Sequence, residues 1–171
     1  TNSYAAFGDM TYTVFPKFDV TLGVRFSYDE KELAYRHENT LGFPQVFALA
    51  QQAKRDAVFN NWTPRFVAAY QWTPAIMTYA SISRGYKAGG FNIAFAGSPK
   101  FKFSDEQAWN YELGLKTLLL DERLSLNMTA FYFDWRDQQI SVFNGFFTTT
   151  DNAKRSRSVG GEVELAARPL P

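Results

Sequence analysis

Hydrophobic and polar residues alternate along most of this chain, most cleanly between Phe18 and Asp29. The even positions there are Phe18, Val20, Leu22, Val24, Phe26 and Tyr28; the odd ones are Asp19, Thr21, Gly23, Arg25, Ser27 and Asp29. Successive side chains of a strand point to opposite faces, so this segment predicts a strand with one apolar and one polar face. Tyr111, Leu113 and Leu115 stand against Glu112, Gly114 and Lys116 in the same way. Leu124, Leu126, Met128, Ala130 and Tyr132 stand against Ser125, Asn127 and Thr129, and Gly161, Val163 and Leu165 against Glu162 and Glu164. Tyr4 to Val14, Trp62 to Trp72 and Ile76 to Tyr86 complete a set of seven strands with weaker contrast.

The connections between these strands are sorted by length. The short joins are 14–17, 72–75 and 120–123; the long ones run roughly from Glu30 to Asn61, from Lys87 to Glu106 and from Asn144 to Ala153. Outer-membrane β-barrels alternate in this manner, with short periplasmic turns and long extracellular loops. A soluble sandwich or lipocalin-like barrel also has apolar-in, polar-out strands, but three details favour lipid. The segments match the ~9–11 residues that a tilted strand needs to cross hydrocarbon, against ~5–6 for typical soluble strands. Aromatics gather at segment ends on the apolar face: Tyr12, Phe18, Tyr70 and Trp72 near the short turns, Tyr28, Trp62 and Tyr132 near the long loops. That is the arrangement of two interfacial girdles. The opposite face carries Asp19, Arg25, Arg65, Gln71, Glu112, Lys116, Glu162 and Glu164, too many charges for a packed core but suited to a wet lumen.

The prediction is therefore an all-β, antiparallel, up-and-down transmembrane sheet. Its lipid face carries Val20, Leu22, Val24, Phe66, Leu113, Leu115, Leu126, Met128, Val163 and Leu165. Its lumen face carries Arg25, Arg65, Glu112, Lys116, Glu162 and Glu164. Seven strands do not close a barrel of the even-numbered bacterial type, and free edges in lipid would strand backbone groups. The 171 residues are accordingly expected to be one partial barrel domain whose remaining strands lie before Thr1 and after Pro171.

Composition adds little that conflicts. The net charge of +1 offers no bulk attraction for nucleic acid. No apolar run approaches the ~20 residues of a membrane helix. Aromatics reach 18%, in keeping with strands and interfaces. The absence of cysteine rules out disulfides and thiolate metal sites.

Three blocks carry a resemblance. They are Ser81-Ile82-Ser83-Arg84-Gly85-Tyr86-Lys87-Ala88-Gly89-Gly90-Phe91-Asn92, then Trp109 to Lys116 with the turn at Asp121 and the strand to Trp135, then Asn152-Ala153-Lys154 and Gly160 to Leu165. Their order and spacing resemble TonB-dependent outer-membrane receptors of the siderophore-receptor type. The resemblance implies a segment of a 22-stranded barrel whose N-terminal plug region, absent here, contacts the TonB complex. It also implies import of a scarce nutrient, most often a ferric siderophore or other iron complex, across the outer membrane of a Gram-negative cell. A passive porin-like or structural barrel is the alternative function.

Few residues carry candidate chemistry. Tyr86, Lys87, Phe91 and Asn92, at the extracellular rim, are candidate ligand contacts. Lys154, Arg155 and Arg157 form a basic cluster that suits lipopolysaccharide phosphates and equally suits a solvated rim. Strict alternation puts Arg84 on the lipid side, where it must either lie high enough to snorkel or be turned inward by a bulge. Gly85, Gly89 and Gly90 surround a lysine, but in the wrong order for a P-loop; they are expected to let a strand turn into a loop. His37, the only histidine, sits in a polar loop without a second ligand and reads as solvated. Val46 to Ala53, after Pro44, has a helical stripe and predicts a short helix in the first long loop. No nucleophile–base pair or metal-binding pair emerges, so neither an enzyme nor a bound cofactor is expected.

Overall fold

A computed structural model describes residues 1–36, 52–92, 101–143, 145 and 148–168. The strands are β1 (Asn2–Phe15), β2 (Phe18–Arg36), β3 (Gln52–Thr73), β4 (Ile76–Lys87), β5 (Gly90–Phe91), β6 (Lys102–Phe103), β7 (Glu106–Leu119), β8 (Leu124–Phe143) and β9 (Thr148–Ala167). Seven of them form one antiparallel sheet in the order β1-β2-β3-β4-β7-β8-β9, so every neighbour is also the next long strand in sequence. No α-helix occurs among the described residues, and the sheet does not close on itself.

The short joins are tight turns at one end of the sheet. Pro16-Lys17 and Pro74-Ala75 connect their strands directly, with Lys17 at a φ of 73°. The third turn is more demanding: Leu120, Asp121 and Glu122 all take φ values between 54° and 66°. Proline at the first turn position fixes its own φ near −65° and offers no N–H, which suits the two tight hairpins.

The register tests which residues share a face. Leu22 sits opposite Met10 and Phe66, Phe66 opposite Ile82, Leu113 opposite Ala80 and Ala130, and Met128 opposite Leu115 and Val163. The predicted lipid set thus lies on one face across the five strands that carry it, and Met10 of β1 and Ile82 of β4 join the same face. Arg25, Arg65, Glu112, Lys116, Glu162 and Glu164 fall on the other. Leu22, Val24, Phe66, Leu113, Met128, Val163 and Leu165 are all exposed to the surroundings, so the apolar face is covered by no other part of the described chain.

Strand ends differ from the sequence expectation. β2 and β3 stay paired out to Arg36 and Gln52, and β8 and β9 out to Phe143 and Thr148. Two of the long connections are therefore much shorter than alternation implied. The cause is that alternation reports an apolar face, not the ladder: where both faces are polar, a segment such as Glu30-Lys31-Glu32 pairs through its backbone all the same. The helix predicted over 46–53 lies outside the described residues apart from Gln52 and Ala53, which already belong to β3. His37 also lies outside them.

Apart from Thr117 near a tight turn and Asp134 on β8, the buried residues gather at the end remote from the tight turns. Ala57, Phe59 and Asn61, which alternation puts on the polar face of β3, are buried, as is Phe101. The cover is the segment between β4 and β7. The Gly89 carbonyl accepts a bond from Lys31 Nζ at 2.6 Å, and Phe91 stacks on Phe101, which packs against Leu33. A Cβ on Gly89 would lie 2.6 Å from the Phe59 ring and 2.4 Å from the Phe103 carbonyl. Glycine is required there by close approach, not by an unusual φ as the sequence suggested.

Candidate functional site

Two regions combine polar side chains in a defined geometry: the inner face near the end remote from the tight turns, and the outer face just beyond the apolar surface.

Pairing between β3 and β4 ends at Arg65 and Ser83, while β4 stays paired with β7 up to Lys87 and Glu106. The sheet splits there. Arg84 is placed at the split, where Nη1 donates to the Trp62 carbonyl at 3.2 Å and Nη2 to the Gln107 side chain. Arg84 thus stays in the row that alternation gives it, without a bulge, and caps a carbonyl that β4 no longer pairs.

The segment after β4 then crosses the inner face as a strap. At one end it is held by Lys31 and Phe59. At the other, the Asn92 amide donates to the Thr150 carbonyl at 2.7 Å and accepts from its N–H at 2.8 Å. Asn152 treats Ser104 likewise, accepting from the N–H at 2.8 Å and donating to the carbonyl at 3.1 Å. Gln139 donates to the Ala88 and Ser104 carbonyls. The strap therefore ties β2–β3 to β8–β9. Sequence reading missed Gln139, and noted Asn152 only within a family-like block, because a strand amide gives no sign of which backbone groups it will bond.

The four candidate ligand contacts separate in role. Phe91 and Asn92 hold the strap, by stacking and by the paired amide bonds. Lys87 has an exposed side chain at the end of β4. Tyr86 closes a pocket of about 310 Å³ with Ser3, Tyr4, Ala5, Arg25, Ser27, Asp29 and Ala88. Its hydroxyl is buried there without a hydrogen-bond partner. Asp29 accepts from Ser3 at 2.6 Å, and Arg25 donates to Ser27 at 3.2 Å. Above this region Lys54 meets Glu32 at 2.8 Å and holds that carboxyl below its ordinary range, first by the hydrogen bond and then by charge.

On the outer face, two cross-strand rows stand out. One contains Arg84, Trp109, Asp134 and Arg157; the next one up contains Tyr86, Gln107, Arg136 and Arg155, although the Tyr86 side chain lines the inner-face pocket beside the split. Directly below lie Ile82, Tyr111, Tyr132 and Val159, all exposed. Arg155 grips Asp134 with two bonds, of 2.7 and 2.8 Å, and Arg157 Nε lies 3.7 Å from the same carboxylate. The basic cluster predicted from sequence is thus divided: Arg155 and Arg157 belong to the outer rows, whereas alternation gives Lys154 to the inner face. Arg136 was not singled out, although its two-residue spacing from Asp134 on one strand matches that of Arg155 and Arg157. No group of acidic residues and histidine able to hold a metal occurs among the described residues.

An open antiparallel sheet, aromatic rows at both ends of one apolar face and a polar opposite face describe a barrel wall. The family described as TonB dependent receptor-like, beta-barrel, matches residues 1–170. The chain belongs to this family. It is 31% identical over 168 residues to the pesticin receptor of Yersinia enterocolitica, covering 98% of this chain and 24% of that one. It is 33% identical over 111 residues to the metal-pseudopaline receptor of Pseudomonas aeruginosa, covering 65% of this chain and 14% of the relative. The solved structure of the ferric yersiniabactin uptake receptor of Yersinia pestis superposes with a TM-score of 0.77 at 28% identity, over 99% of this chain and 24% of that receptor. This TonB-dependent receptor segment thus spans about a quarter of the length of the pesticin receptor it matches.

Proposed function

We propose that this chain forms part of the wall of an outer-membrane importer that takes up a ferric siderophore or related iron complex with energy from the TonB complex. The observation that carries this reading is the two-faced sheet, with its continuous apolar face between aromatic rows, in a chain that belongs to the TonB-dependent receptor family. The likeness to a ferric yersiniabactin uptake receptor supports an iron complex as cargo. Contact with TonB is assigned to a plug region that this segment does not include. The role is transport and not catalysis.

Within this reading the inner wall contributes the pocket at Tyr86, Arg25 and Asp29, and the strap narrows the extracellular mouth. The outer wall contacts lipid and, at the arginine rows, lipopolysaccharide. The test is uptake of ferric chelates by Gram-negative cells that express the complete receptor as their only route. Uptake that stops when the membrane potential is collapsed or TonB is deleted is the expected result. Diffusive entry of small solutes, indifferent to both, would instead identify a porin-like barrel.

A further inference from the structure

We propose that the outer face of β8 and β9 binds the phosphate of an outer-leaflet glycolipid, with Arg136, Arg155 and Arg157 as the cationic groups and Asp134 as the carboxylate that positions them. The inference rests on the outer-membrane reading above and gives its lipopolysaccharide contact a defined site.

Height is the first support. Asp134 lies ten residues beyond Leu124, where β8 leaves its tight turn. At about 3.3 Å per residue and a tilt of roughly 35–45°, ten residues climb about 25 Å, the height of the outward apolar band. The arginine rows therefore begin where hydrocarbon ends. The aromatic row of Tyr111 and Tyr132 immediately below them marks the same boundary.

Charge is the second. Within the two rows four guanidinium groups, Arg84 included, meet one carboxylate. Asp105, one rung higher, accepts from the neutral Gln107 amide at 3.1 Å and raises the carboxylates to two, still half the number of arginines. Asp134 is largely covered, with 12% of its side chain exposed, while Arg155 and Arg157 keep about half of theirs at 49% and 56%. A single carboxylate cannot neutralise three surrounding arginines, so cationic surface remains directed at the membrane boundary. A zwitterionic phospholipid carries no net charge to match it; a phosphorylated glycolipid does.

Residue type is the third. All the cations in these rows are arginine, whose planar fork matches phosphate oxygens two at a time, whereas lysine acts as a point charge. Asp134 uses one such fork, that of Arg155, and thereby fixes the spacing of the others. The exposed side chains Ile82, Tyr111, Tyr132 and Val159 offer a surface for acyl chains directly beneath.

The complete receptor, purified from outer membranes in mild detergent, is titrated with bisphosphorylated lipid A and with the same lipid after phosphatase treatment, and bound lipid is read by native mass spectrometry. The Arg136→Gln/Arg157→Gln variant keeps the Arg155–Asp134 pair, and its folding is checked by heat-modifiable gel migration. It is expected to bind the phosphorylated lipid roughly tenfold more weakly or worse, because charge-assisted bonds are lost. Lys154→Gln, on the inner face, is expected to bind like the parent. The phosphatase-treated lipid is expected to bind parent and double variant alike. Equal binding of both lipids to the parent, undiminished binding by the folded double variant, or an equal loss in Lys154→Gln would each overturn the site. Iron uptake is measured in parallel and is expected to be unchanged in the double variant. A parent that imports no iron chelate yet prefers the phosphorylated lipid would refute the transport reading alone.

Discussion

Glycine at position 114 is where one residue decides the inner wall. A Cβ there would lie 2.1 Å from the Tyr79 ring, which crosses β7 to bring its hydroxyl 3.4 Å from that of Thr129 on β8. The same ring lies 5.7 Å from the Lys116 ammonium. Only an absent side chain lets the phenol lie flat across the neighbouring strand. Gly114→Ala must push Tyr79 off both partners, and overpacking of this kind costs about 1–3 kcal/mol. Gly8→Ala is the matched control, because nothing lies within 4 Å of its added methyl. Reversible unfolding of the complete receptor in bilayers checks the pair: a drop is expected for the first, and a change within about 0.5 kcal/mol for the second.

At the scale of the strand, position relative to lipid governs what a substitution does. Leu22 and Leu113 are 52% and 66% exposed on the apolar face, each a few residues above a tight turn. Leu22→Arg and Leu113→Arg are expected to cost roughly 2–4 kcal/mol each near the membrane midplane. Thr21→Arg, one residue away on the wet face, is expected to be tolerated, because a shift of one position changes the face. The same bilayer unfolding measurement distinguishes them, and equal costs for Leu22 and Thr21 would contradict the assignment of faces. This face code is what made the fold legible. From Phe18 to Asp29 every side chain announces its side, and the seven strands, their order and both residue sets follow from that pattern. The code fails beyond Asp29, where Glu30 to Arg36 pair with 52–58 without alternating. It also says nothing about Gln139 and Asn152, whose side chains hold the strap through backbone groups that no sequence pattern exposes. Asn152→Ala should free the Ser104 N–H and carbonyl while leaving the β8–β9 ladder paired. Faster amide hydrogen exchange at Ser104 and its neighbours, with little change in global unfolding, is the expected signature. The arginine rows were half legible: Arg155 and Arg157 drew attention as a cluster, but only register with Asp134 and Arg136 sorted them from Lys154.

For the molecule as a whole, the sheet presents two liabilities at once. Among the described residues β1 and β9 are edges, so each offers an unpaired row of N–H and C=O groups. The apolar face adds a continuous exposed surface that includes Met10, Leu22, Phe66, Leu113, Val163 and Leu165. Free edges template pairing with other chains, and broad apolar patches drive association. Buried residues gather under the strap at one end; the paired strands below it have no second layer to pack against. The 171 residues alone in plain buffer are therefore expected to self-associate and not to remain monomeric. Size-exclusion chromatography with light scattering measures this directly, and added detergent should shift the distribution toward smaller species by covering the apolar face while leaving the edges free to pair. A monodisperse particle of 19.5 kDa with cooperative thermal melting would contradict the prediction. It would mean that the sheet hides its edges and its apolar face without lipid, as only a self-contained soluble domain does.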